Sequence, residues 1–171
     1  MDRAVITTLL LSFVLLSVCV VVHAGGSVAM LRRLARSPVL ADGSFGPTTW
    51  LLVRIAGGLV LMHLLDIALW GGLYAWGRAF PDLPSALYFS SVTYTTVGYG
   101  DLVLPATWRH VGGIEALTGI LMCGWSTGLF FSVVTRIHVT APAPDAVNRW
   151  DGSAASPSAS PRAARPDRGS L

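Results

Sequence analysis

The chain reads as an all-α membrane protein in which three transmembrane helices, a re-entrant pore helix and a selectivity-filter loop build a tetrameric pore. Three observations predict this. Of 171 residues, 53% are hydrophobic and only 12% are charged, and the charges collect at the ends of long apolar runs. Three of those runs, residues 4–24, 50–74 and 110–137, reach the ~20 residues needed to cross the hydrocarbon of a bilayer. Between the second and third lies a shorter apolar segment that leads into Thr96-Val97-Gly98-Tyr99-Gly100-Asp101.

Span one, residues 4–24, is followed by Arg32, Arg33 and Arg36. The competing reading is a signal peptide cleaved after Val22-His23-Ala24. The apolar run, however, exceeds the ~7–15 residues of a signal core, and export would strand three arginines outside. Arg136 and Arg149 follow span three, so the positive-inside rule places both basic regions in the cytoplasm. The N-terminus is then outside, span one enters, span two leaves and span three ends inside. Arg54 snorkels near the start of span two, and Trp50, Trp76 and Trp108 sit where aromatic belts form.

Residues 83–95 are too short to cross at about 1.5 Å per residue and read as re-entrant. Pro84 suits a first helical turn, where its missing N–H costs nothing. The C-terminus of this helix carries partial negative charge, which favours a cation below it. The non-helical backbone that follows is tolerated at membrane depth only when it is buried in protein or lines a water-filled path. One chain of this size cannot enclose such a path, and there is one such motif and no internal repeat. The partners expected are therefore three more copies in a homotetramer, plus the lipid bilayer. Cys19 and Cys123 lie within apolar spans and suggest neither a disulfide nor a zinc framework. The net charge of +3 is carried by arginine with no lysine, and it reports orientation and not nucleic-acid binding. The three regions are 1–49 (first helix and basic linker), 50–139 (pore domain) and 140–171, a Pro-, Ala-, Ser- and Arg-rich stretch read as a disordered cytoplasmic tail.

Rings of backbone carbonyls can replace the hydration shell of K⁺. Pointing successive carbonyls at one axis needs a backbone of alternating handedness, and glycine enters the left-handed wells without steric cost. Gly98 and Gly100 occupy alternate positions. Thr96 adds a hydroxyl, while Val97 and Tyr99 point away and pack against the scaffold. By chance such a hexapeptide occurs at a probability on the order of 10⁻⁷ to 10⁻⁸ per start position.

The stretch Leu87-Tyr-Phe-Ser-Ser-Val-Thr-Tyr-Thr-Thr-Val-Gly-Tyr-Gly-Asp101 closely resembles the pore loop of tetrameric potassium channels, especially small bacterial ones of the two-transmembrane pore-domain type. The resemblance covers residue 50 to about 137. It implies that span two is the outer helix and span three the inner, cavity-lining helix. It also implies that K⁺ is the permeant ion, held at Thr96, Val97, Gly98 and Tyr99, and that no cofactor is needed. Asp101, Tyr88 and Thr95 are the expected filter supports. Where many such channels carry paired tryptophans on the pore helix, this chain has Tyr88 and Phe89, and a Tyr88 hydroxyl could reach Asp101. Val92 stands where some relatives hold a glutamate behind the filter, so a carboxyl pair cannot form there. Span one is additional to the two-helix pattern and implies packing outside the pore domain or contact with an unidentified regulatory partner. Compact size and composition suggest a bacterial inner membrane.

Gly119 and Gly124 in the inner helix are candidates for a gating hinge, with close helix packing as the competing reading. His63, Asp66 and Glu115 are ionisable groups inside spans, which marks them as site hypotheses. They are expected to form one buried polar cluster behind the pore helix. The reading is a potassium-selective channel that is not an enzyme, since no nucleophile–base constellation or phosphate loop occurs. A poorly selective cation channel and a non-conducting subunit retaining a channel-like loop are the alternatives. No arginine-repeat helix speaks for voltage sensing.

Overall fold

The computed structural model describes residues 3–36 and 45–140. The proposed tail, Arg149 and part of the basic linker lie outside the described residues. Four helices make up the fold: α1 (Arg3–Ala35), α2 (Phe45–Trp76), α3 (Leu83–Tyr94) and α4 (Arg109–Thr140), with a 3₁₀ turn at Ala106–Trp108 before α4. Three stretches are long and apolar enough to cross a membrane, Val5–Ala35, Phe45–Trp76 and Ala106–Ile137. The protein is thus an all-α, multi-pass membrane protein.

Each long helix outruns its sequence expectation. Span one was expected to end at residue 24, before Gly25-Gly26, yet α1 continues to Ala35. Gly26 is not a helix break: a Cβ there would run into the Met62 thioether, so the glycine lets α1 and α2 approach. At 33 residues α1 is about 50 Å long, against a hydrocarbon layer of about 30 Å. Its last turn, with Arg32 and Arg33, therefore has length to reach past the apolar layer. Helix α2 begins at Phe45, with Pro47 in its first turn, where proline is tolerated.

Helix α2 stops in a Schellman motif: Arg78 N–H donates to Ala75 O and Ala79 N–H to Tyr74 O, with Arg78 at φ 53°. The left-handed position is usually glycine, but here Gly77 precedes it. A Cβ on Gly77 would enter the Trp108 ring, so close packing claims the glycine and arginine takes the left-handed site. Trp108 is half-buried and meets Tyr74 edge-on, whereas Trp50 and Trp76 are exposed.

Two apolar clusters mark the two ends of the bundle. One gathers Trp70, Tyr74, Ala79, Ala86, Leu104 and Val111 from the end of α2, α3 and the start of α4. The other gathers Leu34, Ile55, Leu59 and Val133 from the end of α1, the start of α2 and the end of α4. Helices α1 and α4 therefore run parallel and α2 runs against both. This puts Arg32, Arg33, Arg36, Arg54 and Arg136 at one end and Asp101 at the other. Arg33, Arg36 and Arg54 line one groove between α1 and α2. Much of the outer surface is apolar and exposed, including Leu10, Phe13 and Val21 on α1, Leu61 on α2 and Phe131 on α4. In water this would be an aggregation surface, and in lipid it is solvated.

Candidate functional site: the pore helix and the strand that follows it

Helix α3 spans 12 residues, about 18 Å, and cannot cross a bilayer. Asp82 caps it, accepting from Ser85 N–H at 2.7 Å, and Pro84 lies in the first turn. That bond holds the Asp82 carboxyl below the usual carboxylate range. Ala86, Ser90 and Tyr94, four apart, form the buried face of α3. Gly71 lets α2 come close beneath, since a Cβ there would press on Leu87, including its backbone.

The polar residues expected as one cluster form two adjoining layers. In the first, Glu115 on α4 accepts from Tyr74 Oη at 2.7 Å and lies 2.5 Å from Ser90 Oγ, which is also 2.9 Å from Ile67 O. A hydroxyl has one proton and here faces two oxygens. If Glu115 is protonated it donates to Ser90, which donates to Ile67, and all three groups are satisfied. In the second layer, Tyr94 Oη donates to Asp66 Oδ2 at 2.8 Å and lies 3.1 Å from His63 Nδ1. His23 of α1 completes this layer, with Nδ1 3.3 Å from Asp66 Oδ2. Glu115 belongs with Tyr74 and Ser90, and not with His63 and Asp66. Ser90 and Tyr94 each tie the buried face of α3 to one layer.

His23, Tyr74, Ser90 and Tyr94 were not singled out from sequence. His23 could have been found by the rule that marked His63, because it too is ionisable inside an apolar span. The hydroxyls carried no comparable signal.

Past Tyr94 the chain turns sharply. Thr95 ends the helix with its N–H on Ser91 O, and its hydroxyl folds back on Ser91 O at 2.7 Å. The carbonyl of Val92 accepts from Val97 N–H at 3.0 Å and Gly98 N–H at 3.2 Å, which anchors the strand to the helix end. Positive φ then falls on every second residue: Thr96 at 61°, Gly98 at 55° and Gly100 at 76°. Gly98 and Gly100 were expected to carry the alternation; Thr96 joins them. For a β-branched residue this conformation costs on the order of 1–2 kcal/mol, offset in part by its N–H on Thr93 O at 2.9 Å. Space is not what requires glycine here, since a Cβ at Gly98 or Gly100 would meet nothing within 4 Å. The backbone angle is.

The strand is open in one chain. Val97 is 52% exposed and Tyr99 72%, although both were expected to pack against a scaffold. No backbone N–H among the described residues donates to a carbonyl of residues 96–100. Tyr88 Oη donates to Asp101 Oδ2 at 2.7 Å, and this bond holds Asp101 below the usual carboxylate range. A cleft of about 380 Å³ between α3 and the strand is lined by Phe89, Val92, Gly98, Asp101, Val103 and Arg109, among others.

Of the two hinge candidates, Gly119 sits directly under the pore helix. A Cβ there would overlap the Tyr94 carbonyl, so close packing alone accounts for this glycine. Gly124 has open space around it.

A family model described as ion channel matches residues 49–136, from the first turns of α2 almost to the end of α4. The potassium voltage-gated channel protein Shal of Drosophila melanogaster is 38% identical over 64 residues, 36% of this chain and 11% of that protein. The chain thus spans only about a tenth of that relative's length. No solved structure matches it.

Proposed function

Because the chain belongs to the ion channel family, whose model covers just over half of it, we propose that it conducts K⁺ selectively and passively through a pore of four identical copies. One observation carries this reading: the alternation of backbone handedness at Thr96, Gly98 and Gly100 in a strand whose carbonyls accept from no backbone N–H among the described residues. Alternation turns successive peptide planes so that the carbonyls of Thr96, Val97, Gly98 and Tyr99 face one side. Four such strands around an axis would offer K⁺ rings of oxygens in place of water, with the Thr96 hydroxyl at the inner end.

The exposed faces of Val97 and Tyr99, and the cleft beside them, are the surfaces that neighbouring copies would cover. The C-terminus of α3 directs partial negative charge toward the inner end of the strand, where a hydrated cation would wait. With the basic ends of α1, α2 and α4 gathered at one end, the positive-inside rule assigns that end to the cytoplasm and Asp101 to the outer mouth. The relative's printed name, a potassium channel, favours K⁺ over other cations.

The test is K⁺ against Na⁺ flux into liposomes holding the purified full-length protein, with its oligomeric mass measured in the same detergent. K⁺ flux well above Na⁺ flux, abolished in Gly98→Ala with the oligomer intact, is the expected result. Equal fluxes would replace selectivity by general cation conduction. An oligomer other than a tetramer, or a tetramer silent across voltage and pH, would overturn the reading.

A further inference from the structure

The layer around Tyr94 is chemically unlike the one around Glu115. One donor atom each from His23, His63 and Asp66 lies within 4.8 Å of the others. Three such atoms leave a point no farther than about 2.8 Å from each, 4.8 Å divided by √3. Zinc bonds to imidazole nitrogen and carboxylate oxygen are about 2.0–2.2 Å, so side-chain rearrangement within the cluster would close the set. His63 and Asp66 stand three apart on α2 and His23 comes from α1.

The hydrogen bonds around the three residues are those of a ligand set. His23 Nδ1 is 3.2 Å from the Cys19 carbonyl, which can only accept, so this nitrogen carries the proton. Tyr94 donates to Asp66 and therefore accepts from His63 Nδ1. Each imidazole thus has one protonated nitrogen held by an acceptor and one nitrogen with its lone pair, the arrangement found in metal-bound histidines. Asp66 is hydrogen-bonded through Oδ2, as ligating carboxylates are. His23 and Asp66 expose no side-chain surface. Yet His23 Nε2 and Asp66 Oδ1 are buried without a hydrogen-bond partner, a costly pair of vacancies in an apolar span.

We propose that His23, His63 and Asp66 form a site for a divalent transition metal of the zinc class that clamps α1 to the pore helix. Two imidazoles select a borderline metal over Mg²⁺ or Ca²⁺. Through Tyr94, one residue before the turn into the strand, the metal would tie the end of α3 to α1, whose His23 lies outside the residues matched to the ion channel family.

The test uses full-length protein purified without a histidine tag, stripped with chelator in detergent and titrated with Co²⁺ as a spectroscopic probe, followed by Zn²⁺. Expected are one Co²⁺ per chain, visible bands of tetrahedral intensity, and displacement by Zn²⁺. His23→Gln, His63→Gln and Asp66→Asn should each weaken binding about 100-fold or more, since even outer-shell changes cost 10–100-fold. Asp66→Asn keeps an oxygen for Tyr94 and decides the matter if a histidine variant does not fold. Wild-type protein with normal helicity and elution that takes up no Co²⁺ or Zn²⁺ overturns the proposal, as does unchanged affinity in the folded variants. None of these readouts depends on ion flux.

Discussion

The two faces of the pore helix differ in what one chain completes. On the back face Ser90, Tyr94, Asp66 and Glu115 expose nothing, and their hydroxyls and carboxyls reach partners on α2 and α4. On the front, residues 95–101 are exposed, with Tyr99 at 72%, and no backbone N–H among the described residues donates to a carbonyl of residues 96–100. The difference teaches that the segment is held from behind by the chain that carries it, while its front is finished by something else. In the proposed function that is three further copies and a row of dehydrated ions. Stability should therefore reside at the back and conduction at the front, and substitutions on the two faces should separate the two quantities.

The largest expected effect tests the close contact at the back. Gly119→Ala places a Cβ against the backbone carbonyl of Tyr94, and overpacking of this kind costs about 1–3 kcal/mol or more. Gly124→Ala, with open space, should be neutral or gain up to about 1 kcal/mol. Thermal denaturation in detergent, followed by the fraction still eluting as the native species, distinguishes them. Equal midpoints would mean that α3 and α4 do not meet as described.

Next comes the Glu115 layer. Glu115→Ala leaves the buried hydroxyls of Tyr74 and Ser90 short of a partner and should cost about 2–3 kcal/mol. Glu115→Gln can accept from Tyr74 and donate to Ser90, so it should retain most of the stability in the same assay. A glutamine variant as unstable as the alanine one would show that the layer needs the carboxyl itself.

At the front, Gly98→Ala is expected to alter the midpoint by only about 1–2 kcal/mol, the cost of left-handed alanine, while abolishing selective flux. A variant that keeps its flux, or that loses its fold, would erase the contrast between the faces.

The smallest effect concerns the outer end of α3. The folded-state pKa of Asp82 is depressed from 3.8 by its bond to Ser85. A depressed carboxylate contributes stability above its unfolded pKa and loses it as pH falls through the folded value. The midpoint difference between wild type and Asp82→Ala should therefore be constant from pH 7 to about pH 5 and shrink below 3.8. A difference that grows on acidification would reject Asp82 as the cap.

Apolar length and the short segment before Thr96 were enough to predict the helices and their order, because crossing a bilayer leaves a segment almost no choice but to be helical and long. Helix ends were less legible. Gly25-Gly26 looks like an end until Met62 is seen packed on Gly26, and a glycine needed for contact is indistinguishable in sequence from one needed for a turn. The same ambiguity hid Gly119, a candidate hinge by depth that the tertiary contact shows packed against Tyr94.

What the sequence by itself determined is what one segment settles with its solvent and its own backbone: three apolar helices, a helix too short to cross, and glycines where the strand must turn left-handed. Tertiary structure decided which polar groups share a proton or a lone pair. His23 and Asp66 stand 43 positions apart and Tyr74 and Glu115 are 41 apart, so no local spacing relates them. In an apolar medium a buried polar group must find a partner, but which partner depends on how α1, α2 and α4 close around α3. Thr96, with no glycine to announce it, takes the left-handed turn where local bonds hold the chain: Thr93 O accepts from its amide and Val92 O from those of Val97 and Gly98.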